Sequence, residues 1–184
     1  MKFLFELLNN AKNQLDNYYE LHKNDNYINE RNTPKDYLEW IDKKTKIIIN
    51  SPYFIQKSKE HIVRGDVIWV EFGFNIGEEF SGRHPAVILK NGGKTLIVLP
   101  VTSKMPTQKQ LSSTNYIELG KIYNFKEMRR WVNIFNITPI SIERIDFSKK
   151  KGNIKGEDLD NISKAFLQSD LFRYLSSNNN KYWI

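Results

Sequence analysis

The stretch PAVILKNGGKTLIVLPV, residues 85–101, decides the fold. Two aliphatic runs flank NGGK, and Asn91-Gly92 is a strong hairpin signal because Asn and Gly tolerate the backbone angles of a tight turn. The two runs therefore read as adjacent antiparallel strands, PAVILK (85–90) and TLIVLPV (95–101). Upstream, VRGDVIWVEFG (63–73) is a third strand, with Val67 and Trp69 on one face and Ile68, Val70 and Phe72 on the other. Gly65-Asp66 is the turn that starts it. Downstream, NYIEL (115–119) and WVNIFNITPISI (131–142) add two more, the last expected to break near Pro139, which lacks an N–H for a ladder. Leu159, Ile162 and Phe166, continued by Leu171 and Leu175, repeat at helical spacing behind Glu157, Asp158 and Asp160. About five short strands do not stand alone, so the expected fold is mixed β with α: a small, curved β-barrel closed by a C-terminal helix.

Ahead of this barrel the texture is helical. Leu4, Leu7, Leu8, Ala11, Leu15 and Tyr18 mark one face of a first helix. Thr33, Pro34 and Asp36 form a start signal for a second, whose stripe is Tyr37, Leu38, Ile41, Thr45 and Ile48. A polar link, NDNYINERN, separates them, and SPYF (51–54) ends the segment. The expected division is a helical N-terminal extension over 1–58 and a barrel domain over 59–184.

Composition narrows the chemistry. The chain has 184 residues and no cysteine, so it holds no disulfide, no thiolate metal site and no thiol nucleophile. Its apolar runs fall far short of a membrane span, and Glu6 with Asn9-Asn10 interrupts the N-terminus too early for a signal peptide. A soluble cytoplasmic protein is expected. Net charge is +7. Residues 1–58 carry 9 basic and 8 acidic side chains, and residues 59–184 carry 19 and 13, so the excess lies in the barrel part. A basic excess draws polyanions from solution and binds phosphate without regard to sequence. It is densest over 104–130, where Lys104, Lys109, Lys121, Lys126, Arg129 and Arg130 face only Glu118 and Glu127. Tyr116, Tyr123, Phe125 and Trp131 are interleaved there, the pattern that binds single strands by charge and stacking, although Trp131 reads better as core.

The motifs in series resemble a known family. RGDVIWVEFG, GEEFSGRHPAVILKN, LIVLPVTSK and NIFNITPISIERI, followed by the C-terminal helix, occur in the order of the MazF/PemK-type toxins. The likeness runs over about residues 63–175; the short members of the family have no counterpart to 1–58. It implies an SH3-like barrel, usually a homodimer. The implied activity is a sequence-specific endoribonuclease that cuts single-stranded RNA without metal or other cofactor and is neutralised by a cognate antitoxin.

The same resemblance assigns residues. The position before the loop proline usually holds the catalytic arginine; here it is His84, with Arg83 one place earlier. Adjacent side chains on an extended backbone point to opposite faces, so position favours His84, while phosphate chemistry favours Arg83. Thr102 matches the threonine ending the VLPV strand, where its hydroxyl would hold the phosphate, with Ser103 as understudy; a threonine there also suits a loop cap. Glu79 matches the loop acid that would orient Arg83 or His84, whereas Glu78 reads as a solvated neighbour. Asn136 falls where the family often has a glutamine near the site and can pair with a base edge or phosphate, and the strand lacks the family's acid. Ser103, Lys104, Lys109, Arg129 and Arg130 join Glu79 and Asn136 as expected RNA contacts. The alternative reading is a catalytically inactive regulator on the same barrel that binds nucleic acid or protein, favoured by the histidine in the arginine's place. An N-terminal membrane-surface helix is disfavoured by its few basic residues.

Overall fold

The computed structural model describes residues 2–26, 33–54 and 61–169. The expected continuation of the last helix through Leu171 and Leu175, the C-terminal tail and most of the polar link lie outside the described residues. The chain divides into two compact units, residues 1–49 and 50–184.

The first unit is a helical pair, α1 (Lys2–His22) and α2 (Pro34–Asn50). The start signal of α2 works as its residues require. Thr33 Oγ1 accepts from Asp36 N at 3.2 Å, and the Asp36 carboxylate accepts from Thr33 N at 2.9 Å. Two otherwise orphaned donors are satisfied, and Pro34 occupies a position that needs none. Tyr18 of α1 meets Tyr37 of α2 edge to face, ring centres 4.7 Å apart.

The second unit is a strongly curled, wholly antiparallel sheet with a helix at its end, a half-barrel. Its elements are β1 (Asp66–Gly73), β2 (Gly82–Asn91), β3 (Thr95–Thr102), the one-turn helix α3 (Gln108–Leu111), β4 (Tyr116–Leu119), β5 (Arg130–Asn133), β6 (Thr138–Ser141), β7 (Gly152–Asn153) and α4 (Gly156–Gln168). The order across the sheet is β4-β5-β3-β2-β1-β7, with β6 also paired to β3. The β2–β3 hairpin closes as its sequence demands. Gly92 N donates to Thr95 O, Gly93 N donates to Asn91 Oδ1, and Gly93 holds a φ of +88°.

Both faces of this sheet are covered, which is why β2 and β3 are apolar at consecutive positions. One face carries Ile68, Val70, Phe72, Ala86, Ile88, Leu96 and Val98 against Ile140, Ile142 and Ile145. The other carries Val67, Val87, Leu89, Leu99, Val101 and Val132 against Ile154 and Ile162, the latter from α4.

Three features differ from expectation. Strand β2 begins at Gly82 rather than Pro85, so Arg83 and His84 are ladder residues and not loop residues. The sheet has seven strands rather than about five, because 131–142 splits in two and the two-residue β7 joins. The split falls at a 3-10 turn over Ile134–Asn136, not at Pro139, because the Asn133 side chain accepts from Phe135 N and turns the chain there. Pro139 lies within β6, opposite Ile97 on an edge where its missing N–H costs nothing.

Gly152 is where β7 meets the 120–129 loop. A Cβ there would lie 2.6 Å from both the Phe125 ring and the Tyr123 carbonyl oxygen. The carbonyl is backbone and cannot swing aside. Gly152→Ala is therefore expected to cost about 3 kcal/mol, a fall in Tm of roughly 6–12 °C. An unchanged melting curve would contradict this packing.

Candidate active site

Strand alternation separates the Arg-His pair. Arg83 pairs with Glu71 and His84 with Val70 across β1–β2. Arg83 thus shares a face with Trp69, Pro85 and Val87, and His84 shares the opposite face with Ala86 and Ile88.

On its face Arg83 is already engaged. Its Nη2 lies 2.6 Å from Asp146 Oδ2, its Nε lies 3.7 Å from Glu71 Oε1, and its guanidinium lies over the Trp69 ring at 5.4 Å. The Asp146 carboxyl is held below the usual aspartate range, first by the Ser148 hydroxyl, then by the Ser148 N–H and by Arg83 and Lys149. A carboxylate with a depressed pKa stabilises the fold above its unfolded value and loses that contribution as pH falls through the folded value. Asp146→Asn is therefore expected to cost about 1 kcal/mol near neutral pH. That difference from wild type should vanish in acid, as urea titrations at a series of pH values would reveal; a pH-independent difference would contradict it.

His84 is half-buried, with its ring edge-on to Phe80 at 4.7 Å. Phe80 belongs to the loop over 74–81, which is tied to itself. Asn75 Nδ2 donates to Phe80 O at 2.8 Å, Asn75 N donates to Ser81 Oγ, and Ile76 N donates to Glu79 Oε2 at 3.3 Å. The Glu79 carboxylate thus caps its own loop; the carboxylates beside Arg83 are Glu71 and Asp146.

Ala86 pairs with Pro100, the last pair of the β2–β3 ladder. His84 and Thr102 each lie two residues beyond that pair on their own strands, so alternation turns both toward the face of Ala86 and Pro100. Thr102 pairs with Trp131, and Trp131 pairs with Glu118. One row across β3, β5 and β4 therefore reads Thr102, Trp131, Glu118. Thr102 Oγ1 accepts from Lys104 N at 3.0 Å, which fixes the oxygen as an acceptor and leaves its O–H to donate. At the far end Arg129 grips Glu118 with two bonds, 2.6 and 2.7 Å, and covers the Trp131 ring at 5.0 Å. This pairing lowers the Glu118 pKa, chiefly through the Arg129 hydrogen bonds. The Trp131 indole N–H beneath is buried with no hydrogen-bond partner among the described residues.

The other expected RNA contacts are dispersed. Ser103 and Lys104 are exposed just beyond Thr102, and Lys109 is exposed on α3. Asn136 is half-buried at the end of the 3-10 turn that follows β5. Arg130 is not a surface group: it is 7% exposed and donates to Met128 O. Sequence reasoning missed Glu71 and Asp146 as the partners of Arg83, and Glu118 as the partner of Arg129. For Glu71 the register of β1–β2 was the available signal; for Asp146, remote in sequence and beyond β6, there was none. Among the described residues no three His, Cys, Asp or Glu side chains gather as a metal site, and no helix is long and apolar enough to cross a membrane.

Comparison with known proteins gives this arrangement a context. No curated protein matches the chain significantly. Solved structures do resemble it. A MazF from Deinococcus radiodurans is 15% identical, covering 60% of this chain and 97% of its own, with a TM-score of 0.46. An endoribonuclease in complex with its cognate antitoxin, from a mycobacterial species, is 15% identical over 62% of this chain and 99% of its own, with a TM-score of 0.44. The Mycobacterium tuberculosis toxin MazF-mt6 is 11% identical over 60% and 100%, also with a TM-score of 0.44. The profile of the PemK-like, MazF-like toxins of type II toxin–antitoxin systems matches residues 63–169, more than half of the chain and the whole span from β1 to α4. The resemblance carried by the RGD strand, the GRHP segment and the VLPVTS strand is thereby borne out, and the chain belongs to the PemK/MazF toxin family.

Proposed function

We infer that the protein is a toxin endoribonuclease that cleaves single-stranded RNA without a metal, using the substrate's own 2′-OH as nucleophile. The observation that carries this reading is the shared face of His84 and Thr102 in a chain of this family. In such a reaction the 2′-oxygen attacks the adjacent phosphorus and the bond to the 5′-oxygen breaks, leaving a 2′,3′-cyclic phosphate and a 5′-hydroxyl. His84 would move the proton, and in its charged form would also offset the charge developing on phosphorus. The Thr102 O–H would donate to a non-bridging oxygen, an acceptor that strengthens as the reaction proceeds. Arg83 is assigned a structural part, because Asp146, Glu71 and Trp69 already hold it on the opposite face.

Family membership also supports a cognate antitoxin as inhibitor, a homodimer as the working form and the cytoplasm as the site of action. The helical unit is assigned no catalytic part. Incubation of the purified chain with unstructured RNA in EDTA, followed by mapping of the ends, tests the reading. Cleavage to cyclic-phosphate and 5′-hydroxyl ends is expected. Intact RNA at every salt concentration, or cleavage that disappears with EDTA, would overturn it.

A further inference from the structure

Beyond the chemistry at His84 and Thr102, the hairpin that joins β4 to β5 encloses a second feature. A cavity of about 280 Å³ opens at its mouth, lined by Glu118, Leu119, Lys121, Met128, Arg129 and Arg130 together with Gly120, Ile122 and Glu127. At about 30 Å³ per water, it has room for several waters or one tetrahedral oxyanion with part of its hydration.

Its charges are unevenly used. Arg129 is neutralised by the two-pronged bond to Glu118. Among the described residues Arg130 has no such partner. The residue is 7% exposed, its one protein acceptor there is the Met128 carbonyl at 3.3 Å, and its cationic carbon lies over the Phe125 ring at 5.6 Å. Burial lowers its pKa. Most of its five donors have no protein acceptor among the described residues and remain for water or a ligand oxygen at the cavity. Lys121 adds a second positive charge at the rim, partly turned to the Tyr123 ring at 5.9 Å, and Glu127 subtracts one. Asp158 reaches the wall from outside the cavity, where its carboxylate accepts from Gly120 N at 2.9 Å.

Packing fixes Arg130 where it is. The Phe125 ring beneath it stacks on Trp69 at 6.0 Å with planes 10° apart, and Trp69 in turn carries Arg83 on its ring. Two stacked rings thus lie between the cations Arg130 and Arg83, and Arg83 ends the series on Asp146. One end of this stack has its carboxylate; the other end opens on the cavity.

We propose that this cavity is a phosphate-binding site in which Arg130 supplies the buried charge and Lys121 the rim charge. The phosphate comes either from the backbone of the RNA strand, away from the bond being cut, or from free phosphate or a mononucleotide. The first source rests on the nuclease reading; the second does not.

Two probes separate the sources: inorganic phosphate alone, and a fully 2′-O-methylated single-stranded oligonucleotide, which has no 2′-OH to react. Titration calorimetry with Arg130→Met is expected to show binding weakened by at least about tenfold. Glu127→Gln should tighten it by about twofold. If the site takes the strand, the slope of log affinity against log salt should become shallower by about 0.7 in Arg130→Met, the share of one neutralised phosphate. If it takes only free phosphate, the oligonucleotide affinity stays the same and the phosphate affinity falls. Should Arg130→Met fail to fold, the wild-type protein gives the answer through its arginine Nε–H resonances, assigned through the backbone. Arg130 must move on addition of either probe. Unchanged binding of both probes in folded Arg130→Met, or an Arg130 resonance that neither probe moves, would overturn the proposal. Phosphate binding by a protein that leaves RNA intact would instead remove the nuclease reading alone.

Discussion

Replacing His84 with alanine is expected to lower the rate of RNA cleavage by about 10²- to 10⁴-fold, the usual contribution of a positioned general acid or base. Histidine changes charge near neutral pH, so the variant should also lose one limb of the pH–rate profile that the wild type displays. The loss should appear in kcat more than in KM, because proton transfer is made only in the transition state. His84→Ala should fold: the ring is half-buried and lies against the edge of Phe80 at 4.7 Å, not within the sealed core. Single-turnover cleavage across a pH series checks this. A variant with the wild-type rate and an unaltered profile would remove His84 from the chemistry.

Thr102→Ala carries the second large effect. Its oxygen accepts from Lys104 N, which leaves the O–H to donate. Removing one preorganised donor to a developing oxyanion typically costs about 10²- to 10³-fold in kcat. Thr102→Ser keeps the donor and the anchor and should recover most of the rate. Thr102→Val, which matches the shape without the hydroxyl, should not. If serine and valine behaved alike, Thr102 would be a packing residue and the hydroxyl would be idle.

Much of this is legible in the sequence. The NGGK turn, the aliphatic runs on either side of it and the alternation of VIWVEF specify β1, β2, β3 and their faces, because local turn chemistry and period-two patterning decide those elements. Alternation alone also says that Arg83 and His84 point apart. It does not say which face holds Thr102, since that needs the register of β2 on β3, and register emerges from the packing of both strands.

The split of 131–142 departs from expectation for a related reason. Pro139 reads as the breaker, but an edge position tolerates it, while the Asn133 side chain turns the chain at Ile134. Basic residues between 104 and 130 read as one exposed strip. The structure instead buries Arg130, pairs Arg129 with Glu118 and leaves Lys104 and Lys109 in solvent. A run of charges in sequence carries no record of which members fold inward, because that is settled by tertiary packing such as the stacking of Phe125 on Trp69.

In the proposed mechanism the histidine, and not the neighbouring arginine, serves the family position on the face of Thr102. Single-turnover cleavage in EDTA by Arg83→Met and His84→Ala, measured side by side, tests it most directly. Arg83→Met is expected to stay within about threefold of wild type per active molecule, with its cost visible in stability, while His84→Ala falls by at least about a hundredfold. A collapse of the Arg83→Met rate in folded protein, with His84→Ala near wild type, would contradict it.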